Sequence, residues 1–165
     1  MMIFSPFLKD EHFMGTWFSK RLILDHYNDI KVIYRGQMTV SSNNIKKTII
    51  SEETEKPNCH DILYVGTLWY ENKFYNCSQS YILNSHFDKV DINFYGGNHF
   101  FSLNRSESIQ SIFHGCSPDK YFGIIKLINS ENFTITWNVL GDKKNYYLRS
   151  SYQKKKPHSI LEKAI

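Results

Sequence analysis

The chain has 165 residues and a formal charge of +4, and 16% of its residues are aromatic against a single alanine, Ala164. That length suits one domain with one sizeable core, and the scarcity of alanine beside abundant Ile, Tyr and Phe excludes a helical bundle in favour of strands. The positive excess gathers at Lys154, Lys155 and Lys156, so the body is close to neutral and no basic stripe for nucleic acid is expected.

Taken in chain order, the apolar start at Met1 to Phe4 is broken by Pro6, Lys9, Asp10 and Glu11. No signal-peptide core or membrane span fits there, which predicts a cytoplasmic protein. A short helix is expected before Phe13. Phe13 to Asp25 and Ile30 to Val40 read as a hairpin around the polar break at His26 to Asp29, with Val32, Tyr34, Gly36, Met38 and Val40 alternating. Ser41 to Asn44 is an expected loop, Ile45 to Ser51 an expected strand, and Glu52 to Cys59 a polar loop containing Pro57. Further strands are predicted at Ile62 to Tyr70, Lys73 to Leu83, Val90 to Phe94, His99 to Leu103 and Tyr121 to Ile128. Glu71-Asn72, Asn84-Ser85 and Gly96-Gly97 supply the turn chemistry between several of them.

The clearest strand is Phe133 to Val139, where Phe133, Ile135, Trp137 and Val139 share one face and Thr134, Thr136 and Asn138 the other. Gly141 to Asn145 is a turn, and Tyr146 to Tyr152 returns. A second short helix is expected after Pro157. Nine or ten short strands at even spacing predict an all-β chain, a single antiparallel sandwich or barrel domain over residues 1–165, with a core from about 13 to 153 and a basic tail over 154–165.

A barrel is preferred to a sandwich because of Gly15-Thr16-Trp17 at the start of the first strand and Arg149 in the last. The chain in this respect resembles lipocalin-like (calycin-type) barrels, in which such an indole lies across the closed end under an arginine from the final strand. The resemblance implies a cation–π contact between Trp17 and Arg149, worth on the order of 1 kcal/mol.

A more specific likeness lies in His114-Gly115-Cys116 followed by Asp119-Lys120-Tyr121, and in Trp137 to Tyr146. These segments resemble a family of uncharacterised small domains of bacteria and fungi, marked by His-Pro-Cys, Asp-x-Tyr and Trp-x-Val-x-Gly-Pro-x-Lys-Asp-Tyr. Arg21 after the Gly-x-Trp, the Phe94 to Phe100 turn and the closing Tyr152 also match, in the same order, from about Phe13 to Lys154. Gly115 and Asp142 stand where the motifs have proline, and Asn145 where they have aspartate. The likeness implies a lipocalin-like barrel and no particular reaction.

His114, Cys116, Asp119 and Tyr121 form the one cluster dense in reactive side chains. In a catalytic reading His114 orients or deprotonates Cys116, Asp119 fixes the imidazole tautomer, and Tyr121 donates to a bound carbonyl. In a structural reading Cys116 is a buried apolar residue, Asp119 caps a turn and His114 bonds backbone. Alternation sets Asp119 on the face opposite His114 and Cys116 unless a bend at Pro118 reunites them. The three cysteines, Cys59, Cys77 and Cys116, are expected as free thiols. A metal held by His114 and Cys116 with His99 or His86 lacks zinc spacing, haem through His114 or His99 has no motif, and no cofactor is specified.

The predicted ligand-binding residues are Trp17, Tyr34, Tyr81, Phe94, His114, Tyr121, Trp137 and Arg149, with Tyr147 also expected inward. They either line an apolar cavity for a small, flat molecule or fill the interior completely. Of the adjacent pairs Phe100-Phe101 and Tyr146-Tyr147, alternation allows only one member of each inside. A small-molecule-binding barrel is the leading reading. An enzyme using His114 with Cys116 or Tyr121, and an interaction module using an edge strand or the tail, are its alternatives.

Overall fold

In the computed structural model, which describes residues 9–42 and 58–156, the alternating segments form ten strands behind a four-residue helix, α1 (Asp10–Phe13). They are β1 (Gly15–Asp25), β2 (Ile30–Ser42), β3 (Asn58–Tyr70), β4 (Lys73–Ser85) and β5 (Lys89–Phe94), then β6 (His99–Asn104), β7 (Ile109–Cys116), β8 (Asp119–Asn129), β9 (Asn132–Gly141) and β10 (Lys144–Lys154). The expected strand at Ile45 to Ser51, most of the loop after it and the expected helix after Pro157 lie outside the described residues. β7 is a strand that alternation conceals. Its apolar residues occupy both faces, with Ile112 buried while Ile109 and Phe113 are exposed, so no period of two stands out.

All ten strands belong to one sheet in the order β6-β5-β4-β3-β2-β1-β10-β9-β8-β7, with every neighbouring pair antiparallel. First and last strands pair directly, Trp17 opposite Lys154 and Asp25 opposite Tyr146. The gap in the nearly closed barrel therefore falls between β6 and β7. Gln110 bridges it: the buried side-chain carbonyl accepts from the Asn104 N–H at 2.6 Å, and the amide donates to the Asn104 carbonyl at 2.7 Å. One side-chain amide thus does the work of a peptide group in a ladder that two strands do not make.

The hydrophobic core includes Trp17, Leu83, Val90, Leu103, Phe133 and Tyr152, with Phe13 of α1 packed against it. Each of these side chains contributes roughly 1.5–3 kcal/mol through removal from water. Asp10 fastens α1 there, accepting from Ser85 Oγ at 2.6 Å and Arg105 Nη2 at 2.7 Å, with His60 Nε2 at 3.6 Å. Burial raises the Asp10 pKa, but these donors more than offset it and hold the carboxyl below its usual range.

The expected cation over Trp17 is present but is a different residue. Lys154 Nζ stands 5.3 Å from the Trp17 ring centroid and donates to the Glu11 and His12 carbonyls. Arg149 is paired with Leu22 instead and lies exposed on the outer surface. Lys154 consequently belongs to β10 rather than to a solvated tail. Among the described residues no helix is long and apolar enough to cross a membrane.

Replacing Gln110 by leucine removes both bonds to Asn104, and the one to the Glu107 carbonyl, while keeping a side chain of similar size. We expect a loss of roughly 2–3 kcal/mol in equilibrium urea unfolding, together with faster hydrogen exchange at the Asn104 amide. Unchanged stability would show that the β6–β7 gap is held by packing alone.

Candidate functional site

The inward positions of the strands enclose a cavity of about 210 Å³, bounded towards α1 by Phe13, Val40 and Phe133 and towards the opposite end by Tyr121, Trp137 and Val139. Its walls mix aliphatic side chains, among them Met38, Ile125 and Ile135, with the aromatic rings of Tyr64, Tyr81, Phe100 and Phe101 on β3, β4 and β6 and of Trp137 on β9. A second hollow of about 170 Å³ is lined by Arg21, Ile23, Tyr34, Tyr64, Cys77 and Tyr81, among others. Arg21, Tyr64 and Tyr81 line both, so they form the partition between the two spaces.

A bulge shapes the aromatic wall. Ile92 pairs with Phe101 and Asn93 with His99, leaving Phe100 as the extra residue on β6. Phe100 and Phe101 therefore both line the cavity, against the expectation that one must point out. Phe100 stacks between Tyr81, at 5.7 Å, and Trp137, at 5.4 Å, and the rings are within 14° of parallel. This three-ring stack is buttressed edge-on by His114 at 5.0 Å and in tilted contact by Phe94 at 4.7 Å.

Two glycines make room for Tyr34. Gly36 and Gly66 face each other across β2 and β3, and the Tyr34 ring and hydroxyl occupy the space where their Cβ atoms would stand. The Tyr34 hydroxyl is buried without a hydrogen-bond partner among the described residues, as is Ser19 Oγ.

Arg21 is the residue sequence reasoning missed as a site group. It follows Trp17 and Ser19 on β1 at the same parity, so the strand period aims its guanidinium into the barrel. Its Nε donates to Ser150 Oγ at 2.8 Å and its Nη2 lies 3.4 Å from the Tyr152 hydroxyl, which also accepts from Tyr64 at 3.4 Å. The guanidinium carbon is 5.8 Å from the Tyr34 ring centroid. No carboxylate pairs with Arg21 among the described residues; the ion pairs there join other groups. Burial pushes the Tyr81 phenol up to about 12 and raises Tyr64 well above its ordinary value. Both are neutral donors at physiological pH.

At the end opposite α1, the β7–β8 hairpin pairs His114 with Tyr121 and Cys116 with Asp119. Directly opposed residues of an antiparallel pair share a face, so all four lie on the inward side and the expected separation of Asp119 does not occur. They nevertheless do not form a relay. Cys116 is exposed, His114 is engaged in ring contacts with Phe94, Phe100 and Tyr121, and Asp119 is bonded by Lys144, whose Nζ also lies 3.4 Å from the Tyr121 hydroxyl. The hydrogen bonds that Lys144 donates to Asp119 and then to Tyr121 raise its pKa above the usual value.

Of the other predicted site residues, Tyr81, Tyr121 and Trp137 line the main cavity and Tyr34 the second hollow, while Phe94 stands behind the aromatic stack. Trp17 and Arg149 do not line either space. Trp17 packs the α1 end, its Nε1 donating to the Phe13 carbonyl at 2.9 Å and its ring set edge-on to Phe133. Tyr147 shares the outer parity of Arg149. His86 and His99 belong to an outer-face chain through Asp91 and Ser102, away from His114. No group of three or more His, Cys, Asp or Glu side chains suited to a metal gathers among the described residues.

No curated protein matches the sequence. Among solved structures, the S-type phycobiliprotein lyase of Guillardia theta is similar in fold, with a TM-score of 0.65 at 12% identity, covering 89% of this chain and 90% of that one. A protein of unknown function from the DUF3598 family of Nostoc punctiforme gives a TM-score of 0.56 at 8% identity, covering 92% of this chain and 51% of that one. A redesigned β-barrel, mFAP1, bound to DFHBI, aligns at a TM-score of 0.41 and 12% identity over 87% of this chain and 96% of its own. Residues 13–154 match the model of a family of unknown function, and the chain belongs to that family, DUF6314.

Proposed function

We propose that the protein binds a small, partly apolar molecule inside its barrel. The observation that carries this reading is the cavity of about 210 Å³ behind a three-ring stack, with one guanidinium in its wall. A barrel whose interior served only as core would close such a space with larger side chains, because an unfilled apolar volume lowers stability by roughly 24 cal/mol for each Å³. Trp137 and Tyr81, the two ends of the stack, offer ring surface to a planar ligand, while Tyr81, Tyr121 and Tyr152 supply hydroxyls along the wall. The fold likeness to the S-type phycobiliprotein lyase is consistent with an interior that handles small molecules, but at 12% identity it lends the fold alone. Proposed ligand contacts are Tyr81, Tyr121 and Trp137, joined by Arg21.

The uncharged dye Nile red tests the cavity without favouring any head group. We expect one equivalent to be taken up with a blue-shifted emission, and Ile135→Trp, which fills the space, to weaken uptake about tenfold while the far-ultraviolet circular dichroism is preserved. Absence of a blue shift in the unaltered protein would sink the reading.

The protonated state of the wall phenols has its own signature. An unfolded tyrosine ionises near pH ~10, whereas Tyr81 in the fold holds its proton to about 12. Between those values the native state binds more protons than the unfolded one, so stability falls as pH rises. Tyr81→Phe should flatten that fall by roughly 2 kcal/mol between pH ~10 and ~12 in urea unfolding; an unchanged slope would place the Tyr81 phenol in contact with solvent.

A further inference from the structure

Resting on the reading of the interior as a ligand site, we infer that the ligand is a monoanion, a carboxylate on a flat apolar body, whose charge is held by Arg21. A guanidinium has five N–H donors and never loses its charge in a protein. Two of them are occupied, by Ser150 and Tyr152, and the others have no protein acceptor among the described residues. The groups around it are phenols, not carboxylates, so the cation stands in a low-dielectric wall without a counter-charge. That arrangement is unfavourable in the empty barrel and becomes favourable when an anion enters.

The neighbouring donors point to the same chemistry. Tyr152 accepts from both Arg21 and Tyr64, which leaves its own proton to give. Arg21 and Tyr152 together are a set of N–H and O–H donors that lacks an oxygen to receive them. A single fixed cation among neutral phenols balances one negative charge. A dianion would leave the second charge desolvated and unpaired, which argues against phosphate monoesters. The planar fork of the guanidinium matches the two oxygens of a carboxylate. From Arg21 the main cavity leads to the Tyr81, Phe100 and Trp137 stack, where a flat apolar body has ring faces to lie against.

The test compares 1-naphthoate with the isosteric neutral 1-naphthamide by calorimetric titration at pH 7, with Nile red uptake as the report on the cavity itself. We expect the carboxylate to bind about ten to a hundred times more tightly than the amide. Arg21→Gln should bring the two to equal affinity. Equal affinities in the unaltered protein, or no carboxylate binding by a barrel that takes up Nile red, would overturn the inference and leave the ligand reading standing. Failure to bind any of the three probes would remove both. Because the first comparison needs no substitution, it decides the matter even if Arg21→Gln does not fold.

Discussion

The ladder between β1 and β10 is the interaction on which the rest of the structure depends. Without it the other ladders hold two separate meanders, six-stranded β1 to β6 and four-stranded β7 to β10, each with one apolar face against water. With it the first and last strands share a register that sets Trp17 against Lys154, Leu22 against Arg149 and Arg21 against Ser150. That register determines which basic residue covers the indole, which is left in solvent, and which is turned into the barrel. Closure is then completed at a different place, between β6 and β7, where the Gln110 side chain substitutes for a missing ladder.

The interior is graded in polarity along the barrel. At the α1 end, Asp10, Arg105 and Ser85 satisfy one another, and at the opposite end Asp119 and Lys144 do the same. Between these neutralised ends lies Arg21, whose surroundings offer hydroxyls and ring faces only. An unbalanced charge beside an apolar cavity lowers stability in the empty protein, and such departures from local consistency are commonest where a protein has a task. The aromatic stack reinforces this contrast, because the bulge that brings Phe100 inward joins Tyr81 and Trp137 into one continuous ring wall.

The β7–β8 hairpin invites a chemical reading from its residue types, and its geometry redirects it. His114, Cys116, Asp119 and Tyr121 do share a face, yet the carboxylate is taken by Lys144 and the imidazole is clasped by rings. The hairpin thereby fixes the rim of the barrel. Of these four residues, Tyr121 is the one that lines the cavity.

By itself the sequence determined the all-β character, most of the strand segments and the barrel, because alternation along Val32 to Val40 or Phe133 to Val139 is a local property that survives without its partners. It also marked Tyr81, Tyr121 and Trp137 as inward, since each lies in phase with neighbouring apolar residues. What it could not decide were relations between strands. β7 is hidden because both of its faces carry apolar side chains, and the resemblance points to Arg149 where Lys154 covers Trp17, because register between the first and last strands is written in neither. Phe100 was lost to a one-residue bulge, which alters side-chain direction without altering composition. Arg21 was visible as a residue and even as part of a motif, but whether an inward arginine meets a carboxylate or only phenols is settled by side chains from β2, β3, β4 and β10 that converge on it from distant parts of the chain. Period belongs to the strand; company belongs to the closed sheet, because only closure brings those side chains within hydrogen-bonding reach.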